Sequence, residues 1–415
     1  MVLADLCQAR KLLSLRLMLY PILAQAGYKI AQWVAPKTSW FSVITSNALV
    51  WKKSQPLQGK VLWMHCASLG EFEMGKPVFE LFLERHPDWR GVVTFFSSSG
   101  YEARKTYSRA QVFYLPFDSP SEVKRWLAFL KPSLAVFVRY DLWPNHIHGL
   151  YKRKVPIAVI GMSASRAPWY LSRALPGIRS LFKKAISIWG VTSEQDSVTL
   201  SFAGVHSSVL GNPKYDYAVH LMDQPPHKIM RTWRNLQVKP ILLVGSAHLS
   251  DIAFMLKSTS INNYALWIVA HDLDQVPAMA SLLEEKGFGI VYSTQDDPQV
   301  SEVFMIDEMG ILPTLYALAD AVFIGGGFGK ATHNVLESVA KGKKAASGPN
   351  WQKIAENREL VHQEFLVPCD TPQELDEFLN HMQADGFGTN EKALKWLRAQ
   401  SGSSLKIVEA LEQTV

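Results

Sequence analysis

The sequence predicts an α/β protein of two Rossmann-like, doubly wound domains facing a cleft, preceded by an N-terminal membrane-associated helical segment. Three observations carry this. Short apolar runs alternate with helical stretches twice, once from Val61 to Leu210 and again from Ile241 to Ile324. The runs are continuously apolar, as in parallel strands covered on both faces. A polar break from Asp216 to Lys239 separates the two series. A length of 415 residues fits two domains of ~150 residues with extra elements. An apolar fraction of 48% excludes a mainly disordered chain. The boundaries read as an apolar segment over 1–50, a first domain over 51–215, a linker over 216–239, and a second domain with a C-terminal helix over 240–415.

The N-terminal segment is apolar from Leu12 to Val34, but its longest uncharged stretch, Leu17 to Tyr28, has 12 residues. A spanning helix needs about 20. Arg10, Lys11, Arg16 and Lys29 punctuate it and Pro21 kinks it. Such a basic, Leu-rich segment suits the interface of an anionic membrane. A helix packed on the first domain is the alternative. A cleaved signal ending near Ala24-Gln25-Ala26 is a third reading, weakened by the short apolar core.

In the first series, Val61–Cys66 reads as a strand and Phe72 to Arg85 as its helix. Gly91–Phe96 is the second strand, followed by Ser97-Ser98-Ser99-Gly100 and a helix. Val112–Leu115 leads to a helix over Pro120–Phe129 capped by Ser119. Leu134–Val138, Ile157–Ile160, Ile186–Val191 and Ser208–Leu210 complete the strands. The second series has Ile241–Gly245, Leu266–Val269, Gly289–Tyr292, Val303–Ile306 and Ala321–Ile324. A last helical stretch, Glu391 to Glu412, has the length to cross back onto the first domain.

Composition narrows the function. With 43 Lys and Arg against 37 Asp and Glu, the net charge is +6. That allows an anionic partner without the dense basic clusters of a nucleic-acid binder. Nothing in the sequence calls for a protein partner. Cys7, Cys66 and Cys369 are odd in number and far apart, which fits a reducing compartment.

Ligands of open parallel sheets bind at the carboxyl ends of strands, so the residues after each strand are the candidates. Glu71, in His65-Cys66-Ala67-Ser68-Leu69-Gly70-Glu71, sits near a helix start that favours its ionised form. It serves either as a general base or only as a complement to the helix dipole. As an exposed acid it is expected to be replaceable by Ala without loss of folding. Arg139-Tyr140-Asp141-Leu142-Trp143-Pro144-Asn145 is either a charged site or a turn anchored by a buried Trp. Gly325-Gly326-Gly327-Phe328-Gly329-Lys330 precedes His333, Asn334 and Glu337. The glycines allow backbone to approach a phosphate, a following helix would offer N–H groups, and Glu337 could accept from ribose hydroxyls. The loop is neither a Walker loop nor the dinucleotide fingerprint. Gly245-Ser246-Ala247-His248 and Val269-Ala270-His271-Asp272 are strand ends suited to phosphate or sugar, or to purely structural histidines. Gly348-Pro349-Asn350-Trp351 reads as a loop near the same cleft. His65, His248, His271 and His333 lie on separate elements without metal-ligand spacing, so no metal is expected.

Taken together and in order, several stretches resemble the 3-deoxy-D-manno-octulosonic acid (Kdo) transferases of lipopolysaccharide biosynthesis. They are His65 to Glu71, Thr94 to Glu102, Tyr114 to Asp118, Asp141 to Asn145, Gly211-Asn212-Pro213-Lys214-Tyr215-Asp216, Gly245 to His248, and Gly325 to Glu337. The resemblance implies a GT-B glycosyltransferase, inverting and metal-independent, with an acceptor half first and a nucleotide-sugar half second. It implies CMP-Kdo as donor substrate, with no further cofactor, and a tetraacylated lipid A precursor (lipid IVA) as acceptor, at the cytoplasmic face of the inner membrane. It makes Glu71 the catalytic base and Asp141 the second acid, in place of a Glu found in most members. It places Ser68, Gly70, Ser98, Gly100 and Lys214 at the acceptor. It places Gly245, Ser246, His248, His271, Gly325, Gly326, Gly327, Lys330, His333, Asn334 and Glu337 at the donor. Two departures stand out. Many members have Pro-Arg-His where this chain has Val269-Ala270-His271, leaving phosphate neutralisation to a group such as Lys330 or Arg166. Many also have Asn-Ala-Arg-Leu-Ser where this chain reads Gly161 to Arg166. The rivals are another GT-B transferase or a nucleotide-sugar epimerase, and an inactive lipid-binding scaffold.

Overall fold

Strand β1 (Lys60–Cys66) is buried at every residue but its first, because its two faces meet two different apolar layers. Trp63, with Ala135, Phe137 and Val159 of neighbouring strands, enters one layer, while Leu62, Met64, Val136 and Ile160 enter the other. The chain is described as a computed structural model over residues 20–22, 24–26, 51–53, 55–163, 168–294 and 299–415. Most of the segment expected to associate with the membrane, and Arg166, fall outside these residues. Among the described residues no helix is long and apolar enough to cross a membrane. Tyr20 donates its hydroxyl hydrogen to Asp118 (2.9 Å) and Ser121 donates to Gln25 (3.1 Å).

The chain divides into two compact units, residues 1–217 with 401–415, and residues 218–400. The first carries β1, β2 (Trp89–Phe95), β3 (Gln111–Tyr114), β4 (Leu134–Val138), β5 (Ile157–Met162), β6 (Ile188–Val191) and β7 (Ser208–Val209). All pair in parallel, in the order β3-β2-β1-β4-β5-β6-β7. Serines start four of the crossover helices: Ser68, Ser97, Ser119 and Ser193 each accept a backbone N–H of the first turn. The strand order reverses between β1 and β4, so the loops after these two strands flank the sheet's switch point.

The second unit holds β8 (Ile241–Ala247), β9 (Ala265–Ala270), β10 (Ile290–Tyr292), β11 (Val303–Ile306), β12 (Ala321–Ile324), β13 (Ala345–Ser347) and β14 (Leu366–Pro368). They form a parallel sheet in the order β10-β11-β9-β8-β12-β13-β14, whose switch point lies between β8 and β12. The sequence pattern does not announce β13 and β14, which are three residues each and of weak apolar character. The polar stretch 216–239 contains helix Lys228–Leu236, whose buried Trp233 stacks on Phe304 at 3.9 Å.

The expected single helix from Glu391 to Glu412 is two helices, Glu391–Gln400 and Ser403–Glu412. Gly402 breaks them with a left-handed backbone, φ 103°, that a side chain would resist. Asp216 then caps the second helix, accepting from the N–H groups of Gly402 (2.7 Å) and Ser404 (3.3 Å). Its Ile407, Val408 and Leu411 enter the apolar layer that also holds Phe72, Phe79 and Phe82 of helix Leu69–Arg85.

Candidate active site

The first cluster grows from β1 and β4. Helix Leu69–Arg85 begins directly after β1, with Ser68 as N-cap accepting the Glu71 N–H at 3.4 Å. Glu71 turns back and its carboxylate accepts the Ala67 N–H at 2.5 Å. It is half-buried rather than exposed. Burial raises its pKa above the ordinary glutamate value, although the Ala67 hydrogen bond and interactions with His65 and Arg139 pull the other way. The helix start therefore does not carry the pKa of this acid below the ordinary glutamate value, as its position in sequence suggested. Desolvation outweighs the favourable dipoles.

Asp141 follows β4 and accepts from His65 Nε2 at 2.9 Å. His65 is 1% exposed, and its Nδ1 meets Thr94 Oγ1 at 2.9 Å, while Trp63 Nε1 donates to the same oxygen at 2.9 Å. This buried relay fixes the His65 ring and so holds the Asp141 carboxylate. Burial pushes the Asp141 pKa up, but the His65 hydrogen bond and charge, with Trp143 and His146, carry it below the ordinary value. Arg139, directly after β4, adopts φ 63°, a left-handed conformation uncommon for a non-glycine residue. Its cation bears on Glu71.

The expected acceptor residues sit around this point in different ways. Ser68 is the cap and Gly70 lies exposed in the first turn. Ser98 opens helix Ser98–Arg104 after β2, and the loops after β1 and β2 are tied by the Ser97 N–H to the Ala67 carbonyl (2.9 Å). Gly100 presses against the Phe95 ring. Lys214 follows the edge strand β7, yet the chain returns there: Pro213 packs near Gly161 and Met74, and Tyr217 interacts with Glu73 of the helix bearing Glu71.

The second cluster gathers at the β8/β12 switch point. Gly325 donates its N–H to the Gly245 carbonyl (2.9 Å), and the His333 N–H returns to the Gly325 carbonyl (3.0 Å). Gly327 accepts from Asn350 (2.9 Å), so the Gly348–Trp351 loop packs directly on the glycine loop. A Cβ on Gly325 would stand 2.3 Å from the Ser246 carbonyl oxygen. Gly325→Ala is therefore expected to lower stability by ~1–3 kcal/mol through overpacking, read by thermal melting. Ser246 itself has φ 53°. Asp251, fully buried, accepts the N–H groups of both His248 (2.8 Å) and Gly326 (2.9 Å), which ties the β8 and β12 loops together. Its place three residues after His248, at the start of helix Leu249–Met255, is the sequence signal of this role.

The helix expected to follow the glycine loop is only Leu336–Val339, four residues long, so it offers no helix N-terminus to a phosphate. Residues 331–335 form no regular element. Asn334 donates to Glu337 (2.9 Å), and its Oδ1 is buried without a partner. Lys330 is exposed.

The expected absence of a metal-ligand cluster rested on separation along the chain, and there the structure differs. β9, β8 and β12 are consecutive in the sheet, so His271, His248 and His333 converge. One ring nitrogen from each lies within 4.8 Å of the others. His248 Nε2 and His333 Nε2 share a hydrogen bond of 2.9 Å, and the His271 and His333 rings stack at 4.1 Å. Burial, then His271 and His248, push the His333 pKa down to about 3, and burial also lowers that of His271.

Two doubly wound parallel sheets, each with polar side chains at its switch point, give the chain the GT-B fold. Solved structures agree on the fold: HepE of Anabaena with UDP (TM-score 0.57, 15% identity) covers 85% of this chain and all of its own. The UDP-GlcNAc 2-epimerase of Neisseria meningitidis (TM-score 0.54, 14% identity) covers 86% of this chain and 99% of its own. Residues 43–217 match the family described as 3-deoxy-D-manno-octulosonic-acid transferase (kdotransferase). The curated 3-deoxy-D-manno-octulosonic acid transferase of Haemophilus influenzae is 29% identical over 69% of each chain. Those of Chlamydia muridarum (27% identical over 79% of each) and Bordetella pertussis (25% over 86% of this chain and 88% of its own) extend the likeness. The chain is a relative of the Kdo transferases and carries their N-terminal domain.

Proposed function

We propose that the chain transfers Kdo from CMP-Kdo to a lipid A precursor, lipid IVA, with inversion at the anomeric carbon and without a metal in the chemical step. The observation that carries this is the opposite displacement of two carboxylates at one switch point, Glu71 upward and Asp141 downward. Paired acids pushed apart in this way divide the work of proton transfer and charge. Glu71 is the more basic of the two and takes the proton from the acceptor hydroxyl. The freed oxygen bonds to the anomeric carbon of Kdo as the bond to the phosphate oxygen breaks, and its electron pair leaves with CMP. Asp141, pinned by His65, stays ionised and orients the acceptor. In the second unit, Asn334 and Glu337 suit the nucleoside hydroxyls, and the backbone at Gly325–Gly327 suits a phosphate. The +6 charge fits an anionic acceptor and work at the cytoplasmic face of the inner membrane.

The test is to incubate purified protein with CMP-Kdo and lipid IVA in EDTA and weigh the lipid product. A mass gain of one or more Kdo units is expected. No gain from the folded protein, with turnover of a UDP-sugar instead, would overturn the proposal. The pH profile follows from Glu71. A base works only when unprotonated, so activity falls as pH drops through its pKa. Because that pKa is raised, the acid limb of kcat/KM is expected above the ordinary glutamate value of about 4.3. A limb at or below that value removes Glu71 as the base.

A further inference from the structure

We propose that His248, His271 and His333 form a binding site for one divalent transition-metal ion of the zinc class. The three imidazoles are its protein ligands, and one coordination position is left for water or an anionic oxygen. Zinc holds imidazole nitrogens at about 2.0–2.1 Å, which sets ligand pairs of a tetrahedral site ~3.3–3.4 Å apart. The 2.9 Å between the Nε2 atoms of His248 and His333 falls just below this spacing, and the 4.8 Å limit for the set lies above it. Small ring rotations therefore complete the geometry.

The backbones that carry the rings are already fixed. His271 donates its N–H to the Ala247 carbonyl (2.9 Å), His333 to that of Gly325 (3.0 Å), and His248 to Asp251 (2.8 Å). The His271 ring bonds to no described residue and is free to ligate. Buried Asp251 and the neighbouring Asp272 add negative charge beside the cluster, which favours a cation. Three nitrogen donors select zinc, cobalt, nickel or copper over magnesium and calcium, which require oxygen ligands. The same imidazoles carry the donor reading above. If that reading holds, metal and donor compete for them, a consequence that rests on it, whereas metal binding does not.

The test uses the full chain, stripped with EDTA and dialysed. Cobalt is titrated and followed by its visible absorption, and the zinc-loaded protein is examined by X-ray absorption. One ion per chain is expected, with tetrahedral cobalt bands and three imidazole nitrogens at about 2.0–2.1 Å from zinc. His271→Ala and His333→Ala should each weaken binding by more than the ~10–100-fold lost with a residue that only orients a metal ligand. The wild-type coordination shell answers the question even if a variant folds poorly. The absence of saturable binding, a shell lacking three imidazoles, or unchanged affinity in both variants would overturn the site. Metal binding by a protein that fails to transfer Kdo would sink the transferase proposal and leave this one standing.

Discussion

Glu71→Gln is expected to lower kcat by ~10²–10⁴-fold, the usual contribution of a positioned general base. Glutamine keeps an oxygen for the Ala67 N–H, which lies 2.5 Å from the carboxylate, and keeps the side-chain volume. It cannot accept the proton. The melting temperature should stay near that of the parent, and KM for the acceptor should change little. Turnover within about tenfold of the parent would mean that another group removes the proton. Alanine is the poorer test. It leaves the half-buried Ala67 N–H unpaired, at a cost of ~1–3 kcal/mol, and so mixes lost chemistry with lost stability.

Deleting residues 401–415 should unfold the first unit. Ile407 and Val408 are 0% exposed and Leu411 1%, all within its core. Each contributes ~1.5–3 kcal/mol on burial, so the three approach the whole stability of an ordinary domain, ~5–15 kcal/mol. The deletion also strips the half-buried Asp216 of its Gly402 and Ser404 partners and exposes the faces of Phe72, Phe79 and Phe82. The loss is read as a missing cooperative transition in calorimetry and as poor soluble yield. A shortened chain that melts within a few degrees of the full one would contradict the packing. Leu411→Ala offers a graded version, with an expected loss of ~2–5 kcal/mol.

Much of this was legible in the residues. Continuous apolar runs such as Leu134–Val138 marked buried parallel strands because both faces of the sheet are covered. A serine before a helix marked its start in one case, where Ser119 caps Pro120–Leu130 as its position predicts. The glycine run points to a constrained backbone, read from sequence as room for a phosphate; what the structure shows at Gly325 and Gly327 is close approach to Ser246 and Gly348. What the pattern missed had no periodic signal. Ala345–Ser347 and Leu366–Pro368 are too short to show one. The break at Gly402 is a local conformation inside an otherwise helical composition.

The sequence by itself determined the kind of elements, their order, and the loops at the carboxyl ends of strands. These are local properties, written in spacing and capping. Only the tertiary structure decided which loops become neighbours, because strand order is set by long-range pairing. That pairing seats Asp141 beside His65 across 76 residues and brings together three histidines from separate elements. It also decided the direction of the Glu71 pKa, since burial depends on what packs around the carboxylate and outweighs the helix start that the sequence displays.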